Sequence, residues 1–215
     1  TVEIVVVTSD RGLCGSFNAN IIKLALKMKR EYEAAGKKVS FVCVGKKGAQ
    51  LLGKTGCVRK SYRDIMSSFQ MFHAREVATD IASQFLSGAS DKVEIIYSNF
   101  KSVASQVPAV SSLLPVQPTT EQAEKEKSFS GEYIYEPSTE EIMDVLQPLY
   151  LNVIVYHAML EVGASEHAAR MTAMDNATNA CKDMVRSLSI IYNKARQAAV
   201  TSELMDIVGG AEALK

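Results

Sequence analysis

The chain has 215 residues, and its 24 Lys plus Arg balance 24 Asp plus Glu for a formal net charge of +0. Hydrophobic residues make up 47% and charged residues 22%, the make-up of a chain that builds a core. That balance points to neither a nucleic-acid binder nor a protein seeking acidic partners.

Residues 2–7, "VEIVVV", are a β-branched run, which predicts a strand covered on both faces. The turn "TSDRGLCGSFN" (8–18) follows, and two readings of it stand. One is a phosphate cradle; the other, favoured because G-x-G-x-x-G is lacking, is a tight strand-to-helix corner with a local Asp10–Arg11 ion pair. Asn18 to Ala35 predicts an amphipathic helix with Ile21, Ile22, Leu24, Ala25 and Met28 inward, closed by Gly36. "KVSFVCVG" predicts a second strand, and "KKGAQLL" a short helix ending at Gly53. A helix over 69–86 is predicted to bury Phe72, Val77, Ile81 and Phe85, followed by a strand at "DKVEIIYSNF" and its neighbour at "VASQVPAVSSLLPV". "YIYEP" is read as a further edge strand before Pro137. Strands alternating with helices indicate an α/β fold with a Rossmann-like mixed or parallel sheet.

Gly48 to Thr55, "GAQLLGKT", spells a Walker A motif. That motif works as a loop opening a helix, whereas Ala49, Gln50, Leu51 and Leu52 are helix formers. A small nucleotide-binding α/β protein using this match is the alternative reading of function. Twelve lysines and arginines from Lys23 to Arg63 stand against only Glu31 and Glu33. They form either a solvated face or a dock for an acidic partner. The cysteines Cys14, Cys43, Cys57 and Cys181 have no C-x-x-C spacing and the three histidines are isolated, so a reducing compartment and no metal site are expected. No signal peptide or bilayer-length apolar stretch is read. The opening directly on a strand, without an initiator methionine, is read as the mark of a fragment or processed chain.

From Ser138 the pattern changes. Ser138 with Glu141 three residues later is a capping box, and the acidic first turn suits a helix N-terminus. Pro148 is expected to kink the helix or mark off a short prelude, and Gly209-Gly210 to end it. The intervening stretch of about 60 residues would run about 90 Å. Its apolar positions alternate four and three: Met174, Ala177, Cys181, Met184, Leu188, Ile191, Ala195, Ala198 and Met205. This is a coiled-coil seam, and the chain holds no second helix of that length to cover it.

"TSDRGLCGSFN", "ASEHAARMTAMDNAT" (164–178) and "YNKARQAAVTSELMDIVGGAEAL" (192–214) closely resemble the γ subunits of F-type ATP synthases. The resemblance covers essentially the whole chain but not the family's long N-terminal helix. It implies a foot domain at 1–137 and a long C-terminal helix at 138–215 forming the rotor coiled coil with that helix. It implies a non-catalytic central-stalk rotor that carries proton-driven c-ring rotation to the catalytic β subunits, with no cofactor and no catalytic residue. Matching positions for contacts with the catalytic subunits' loops are Arg170, Arg196, Gln197, Thr201 and Glu203. The small tip residues Ala195, Ala198, Ala199 and Val200 would turn within the hexamer's collar. Tyr150 matches the foot's grip on the c-ring and the ε-type subunit. The implied partners are the α and β subunits, the ε-type subunit, the c-ring and the N-terminal helix, with no nucleic acid and no membrane span. The implied location is peripheral, on the inner face of a bacterial cytoplasmic or mitochondrial inner membrane. The chloroplast redox insert is absent.

Overall fold

The computed structural model describes residues 1–116, 136 and 138–214. The "YIYEP" reading, and most of the polar stretch before it, lie outside them. Contacts divide the chain into Thr1–Thr172 and Ala173–Lys215.

In the first unit the order is β1 (Val2–Val7), α1 (Phe17–Ala34), β2 (Val39–Val44), α2 (Lys46–Leu52), a 3-10 turn (Gly53–Thr55), β3 (Val58–Tyr62), α3 (Met71–Leu86), β4 (Lys92–Ser102) and β5 (Ser105–Leu114). A final helix, α4 (Thr139–Ala213), begins in this unit and runs into the second. The sheet order is β3-β2-β1-β4-β5. β1 to β4 are mutually parallel, and β5 pairs antiparallel to β4. The domain is therefore a mixed α/β sheet followed by one long helix. Central β1 is buried throughout, as a strand covered on both faces must be.

Alternation sets the two faces. Glu94 accepts a hydrogen bond from Tyr32 of α1 at 2.8 Å. On the opposite face, Tyr97 of β4 meets the ring of His157 in α4 edge-on, with centroids 6.4 Å apart. Glu3 on that face is tied through Arg59 to Asp80 of α3. So α1 covers one face, and α3 with the start of α4 covers the other. α1 buries Phe17, Ile21, Ile22, Ala25 and Met28. It ends in a Schellman motif, with Lys37 N–H donating to Tyr32 O and Gly36 N–H to Glu33 O, around Gly36 at φ +73°.

Several expectations need correcting. α3 buries Ala74, Val77, Ala78 and Ile81, while Phe72 is exposed. Phe72 lies five residues before Val77, about 140° round the helix from that stripe. Strand β3 was not foreseen. "VRKSY" is a sheet edge whose Arg59 and Lys60 face carboxylates rather than core. α4 passes through Pro148 and through Gly209-Gly210 without a break. Within α4, Leu151, Val155, Ala158, Met159 and Val162 pack into the first unit's core. An 18-residue window of this helix does reach membrane-like hydropathy, 1.2, against the expectation of none, and 33% of it is buried. At the helix start Glu141 N–H donates to Ser138 Oγ at 3.2 Å, the predicted N-cap bond.

Candidate functional site

The opening turn is closed on itself. Thr8 Oγ1 donates to Val44 O at 3.3 Å and accepts the Gly48 N–H at 2.9 Å. Gly45, at φ +100°, lies so close that a Cβ there would sit 2.1 Å from Thr8 O. Asn18 holds Ser9, accepting its N–H at 3.1 Å. Leu13 and Gly15 adopt φ of 62° and 58° to complete the bend.

Asp10 does not pair with Arg11. One carboxylate oxygen accepts the N–H groups of Lys46 (2.8 Å) and Asp64 (3.1 Å), and the other accepts that of Met66 (2.8 Å). A single side chain thus gathers the first turn, the start of α2 and the β3–α3 connection. A phosphate cradle needs free backbone N–H groups at a helix start. Here the N–H groups of Lys46 and Gly48 are already spent on Asp10 and Thr8. Gly48 to Leu52 is helical, and Gly53 to Thr55 is a 3-10 turn. The Gly48–Thr55 match therefore forms no P-loop.

A row of polar ties joins α4 to the sheet and to this turn. Glu161 Oε2 accepts the Phe100 N–H at 2.7 Å, and Ser165 Oγ donates to Ser98 O at 3.3 Å. Arg170 donates to the Gly12 carbonyl at 3.2 Å and to the buried carboxylate of Glu166. Beside them is a cavity of about 370 Å³ lined in part by Asp10, Arg11, Phe69, Gly163, His167 and Arg170.

Much of the basic stretch is internally matched. Arg59 bonds Glu3 at 2.6 Å and Asp80 at 2.6 Å, and Lys60 lies 3.0 Å from Asp80. Burial opposes charge on Asp80, but its bonds to Arg59 and Lys60 outweigh burial and hold its carboxyl below the usual range. Lys27, Lys29 and Lys46 pair with Glu31, Glu33 and Asp64. Of these partners, Glu3 and Asp80 are distant in sequence and could not be counted from the stretch itself. The four cysteines are free, and burial pushes Cys43 up to about 12.

The sequence-predicted contact residues separate between the units. Arg170 and Tyr150 belong to the first, where Arg170 is occupied and Tyr150 is half exposed at 46%. Arg196, Gln197, Thr201 and Glu203 belong to the second, and all are exposed. Arg196 and Glu203, seven apart, share one helix face, while Gln197 and Thr201 share a neighbouring one. The Thr201 hydroxyl donates back to Gln197 O at 2.9 Å, so only its lone pairs remain for a partner. Every residue from Met174 to Leu214 is exposed, including Met184 at 64%, Leu188 at 57% and Ile191 at 63%. Glu161, Ser165 and the triple role of Asp10 were not foreseen, since each acts on backbone groups remote in sequence.

The chain matches the family described as "ATP synthase" over residues 1–214. It is 68% identical over 216 residues to the ATP synthase gamma chain of Desulfotalea psychrophila, covering all of this chain and 74% of that one. This chain belongs to the ATP synthase gamma-chain family. The gamma chain of Maridesulfovibrio salexigens is 49% identical, with the same coverage. Among solved structures, a central stalk/c-ring chain of Tetrahymena thermophila mitochondrial ATP synthase aligns at TM-score 0.65 and 29% identity. That alignment covers 83% of this chain and 76% of that one. A chain of Euglena gracilis mitochondrial ATP synthase shares the fold at TM-score 0.71 and 22% identity, covering 99% of this chain and 72% of that one. Family membership makes the protein a central-stalk rotor subunit of an F-type ATP synthase, peripheral to the membrane. It transmits rotation and is itself non-catalytic.

Proposed function

We propose that the exposed apolar row of the second unit is one half of a coiled coil, covered by a helix from elsewhere in the same subunit. Nine apolar or small side chains from Met174 to Met205 follow a spacing of 3.5 residues, and all face water. An unburied seam of this length is the kind of surface that marks an interaction, and this observation carries the reading. The relatives have room for such a helix, since the match spans 74% of their length.

The coiled coil is the shaft. It turns inside the ring of α and β subunits, while the first unit is the foot that grips the c-ring and an ε-type subunit, with Tyr150 on the grip. Arg196, Gln197, Thr201 and Glu203 touch the loops of the catalytic subunits. Arg170 joins them through the guanidinium edge not used by Glu166 and Gly12. Arg196 suits a bidentate hold on a carboxylate, and Gln197 adds neutral hydrogen bonds.

The mechanism is differential contact. Each catalytic subunit meets a different face of one asymmetric rod. An orientation shifts a subunit between open and closed forms only as far as the rod contacts the two forms unequally. Carrying that balance from 1:99 to 99:1 takes about 5.5 kcal/mol, within reach of several charge-assisted contacts plus steric exclusion. Proton-driven turning of the foot then releases product from each subunit in sequence.

Replacing Arg196 and Gln197 together by alanine tests this. Coupled ATP synthesis should fall while the assembled complex keeps its c-ring. Undiminished synthesis would refute the assigned contacts.

A further inference from the structure

In a rotor the sheet domain and α4 must turn together. Torque enters through the sheet domain and leaves through α4, so the joint between them must resist twisting. Apolar contacts of Leu151, Val155, Met159 and Val162 hold α4 on the sheet, but such packing is non-directional. Interlocked side chains resist large shifts of α4, but the apolar stripe alone supplies no hydrogen-bonded register. Hydrogen bonds are directional and weaken steeply with angle.

The directional contacts are concentrated in one short segment. Over Glu161 to Arg170, α4 makes three separate ties to backbone. Glu161 takes the Phe100 N–H at 2.7 Å, Ser165 gives to Ser98 O at 3.3 Å, and Arg170 gives to Gly12 O at 3.2 Å. Two of these ties reach β4, two residues apart on the strand. The third reaches the first turn, which Asp10 ties in turn to α2 and to the β3–α3 connection. Ser165 is fully buried and Glu166, which orients Arg170, nearly so. Anchors on two separate parts of the domain, spread over about 14 Å of helix, fix both the rotation and the height of α4.

We infer that Glu161, Ser165 and the Glu166–Arg170 pair form a torsional key, positioning residues that make the sheet domain and the shaft helix turn as one body. This rests on the rotor reading. It goes beyond that reading by assigning torque transfer to directional ties inside the chain rather than to apolar packing or partner contacts. Glu161 and Ser165 lie among none of the proposed partner contacts, so they isolate the role.

The test uses the complete, membrane-reconstituted complex carrying Glu161→Ala with Ser165→Ala. ATP hydrolysis and ATP-driven proton pumping are measured together. Slip, the fraction of hydrolysis events that pump nothing, should rise about fivefold, which corresponds to about 1 kcal/mol of lost resistance. Hydrolysis itself should persist. Glu161→Gln, which keeps an acceptor for the Phe100 N–H, should restore tight coupling. Val155→Ala, which loosens the apolar stripe, should lower the melting temperature without raising slip. Ser165→Ala alone gives the same direction with the least disturbance to folding. Unchanged slip in the double variant would overturn the key, and so would equal slip in Val155→Ala. A wild-type complex that hydrolyses ATP without pumping would instead overturn the rotor reading beneath it.

Discussion

Removing the Asp10 carboxylate should loosen the upper end of the sheet as a unit. Its three backbone N–H bonds measure 2.8, 3.1 and 2.8 Å. Each is a hydrogen bond to a charged acceptor, the class that contributes about 1.5–3 kcal/mol. The Lys46 and Asp64 bonds lie at the surface, which lowers them to about 1 kcal/mol each, so Asp10→Ala should cost about 3.5–5 kcal/mol. For a chain of this size that is a fall of roughly 10 °C in melting temperature. Asp10→Asn separates the contributions. The amide oxygen can keep the Lys46 and Asp64 donors, but its NH2 then confronts the Met66 N–H, for a cost of about 1–3 kcal/mol. Thermal unfolding of the full subunit gives the totals, and amide hydrogen exchange at Lys46, Asp64 and Met66 gives the local effect. Protection should vanish at all three in the alanine variant and at Met66 first in the asparagine variant. An Asp10→Ala subunit that melts with the wild type and keeps its Met66 protection would refute the clasp.

Two further perturbations probe the same domain. Gly45→Ala would place a Cβ 2.1 Å from Thr8 O at a φ of +100°, so about 3 kcal/mol or more of stability should be lost in denaturant titration. Asp80 has its folded pKa depressed by Arg59 and Lys60. Its contribution is therefore full above the unfolded value of about 3.9 and fades as pH falls through the lower folded value. In acid titration of stability, Asp80→Asn should lose about 1–3 kcal/mol at neutral pH and converge on the wild type as pH falls below the depressed folded value.

Elements whose residues alternate or repeat on one face were legible from sequence. β1, α1, β2, α2, β4 and β5 follow from β-branched runs, 3.6-residue stripes and glycine stops. β3 escaped because its inward partners are charges. Arg59 and Lys60 find Glu3 and Asp80, which lie 56 and 21 residues from Arg59 and only become neighbours in the folded sheet. Pro148 and Gly209-Gly210 misled in the other direction. Local breaker preferences cost a few kcal/mol at most, and a helix this long outvotes them. The exposed seam and the contact residues Arg196, Gln197, Thr201 and Glu203 were legible because a helix converts spacing into faces. The polar row at Glu161, Ser165 and Arg170 was not. Its partners are the Phe100 N–H and the carbonyls of Ser98 and Gly12, and backbone groups leave no mark in side-chain identity.

The shaft itself is most directly tested at its open seam. Cys181 stands on that row and is free and exposed in this chain. In the assembled complex it should be shielded from thiol reagents and should cross-link to a second helix of the same subunit. Leu188→Asp with Ile191→Asp should abolish both the shielding and the cross-link. A Cys181 that labels as fast in the complex as in the separate chain, with no helix within cross-linking reach, would contradict the shaft.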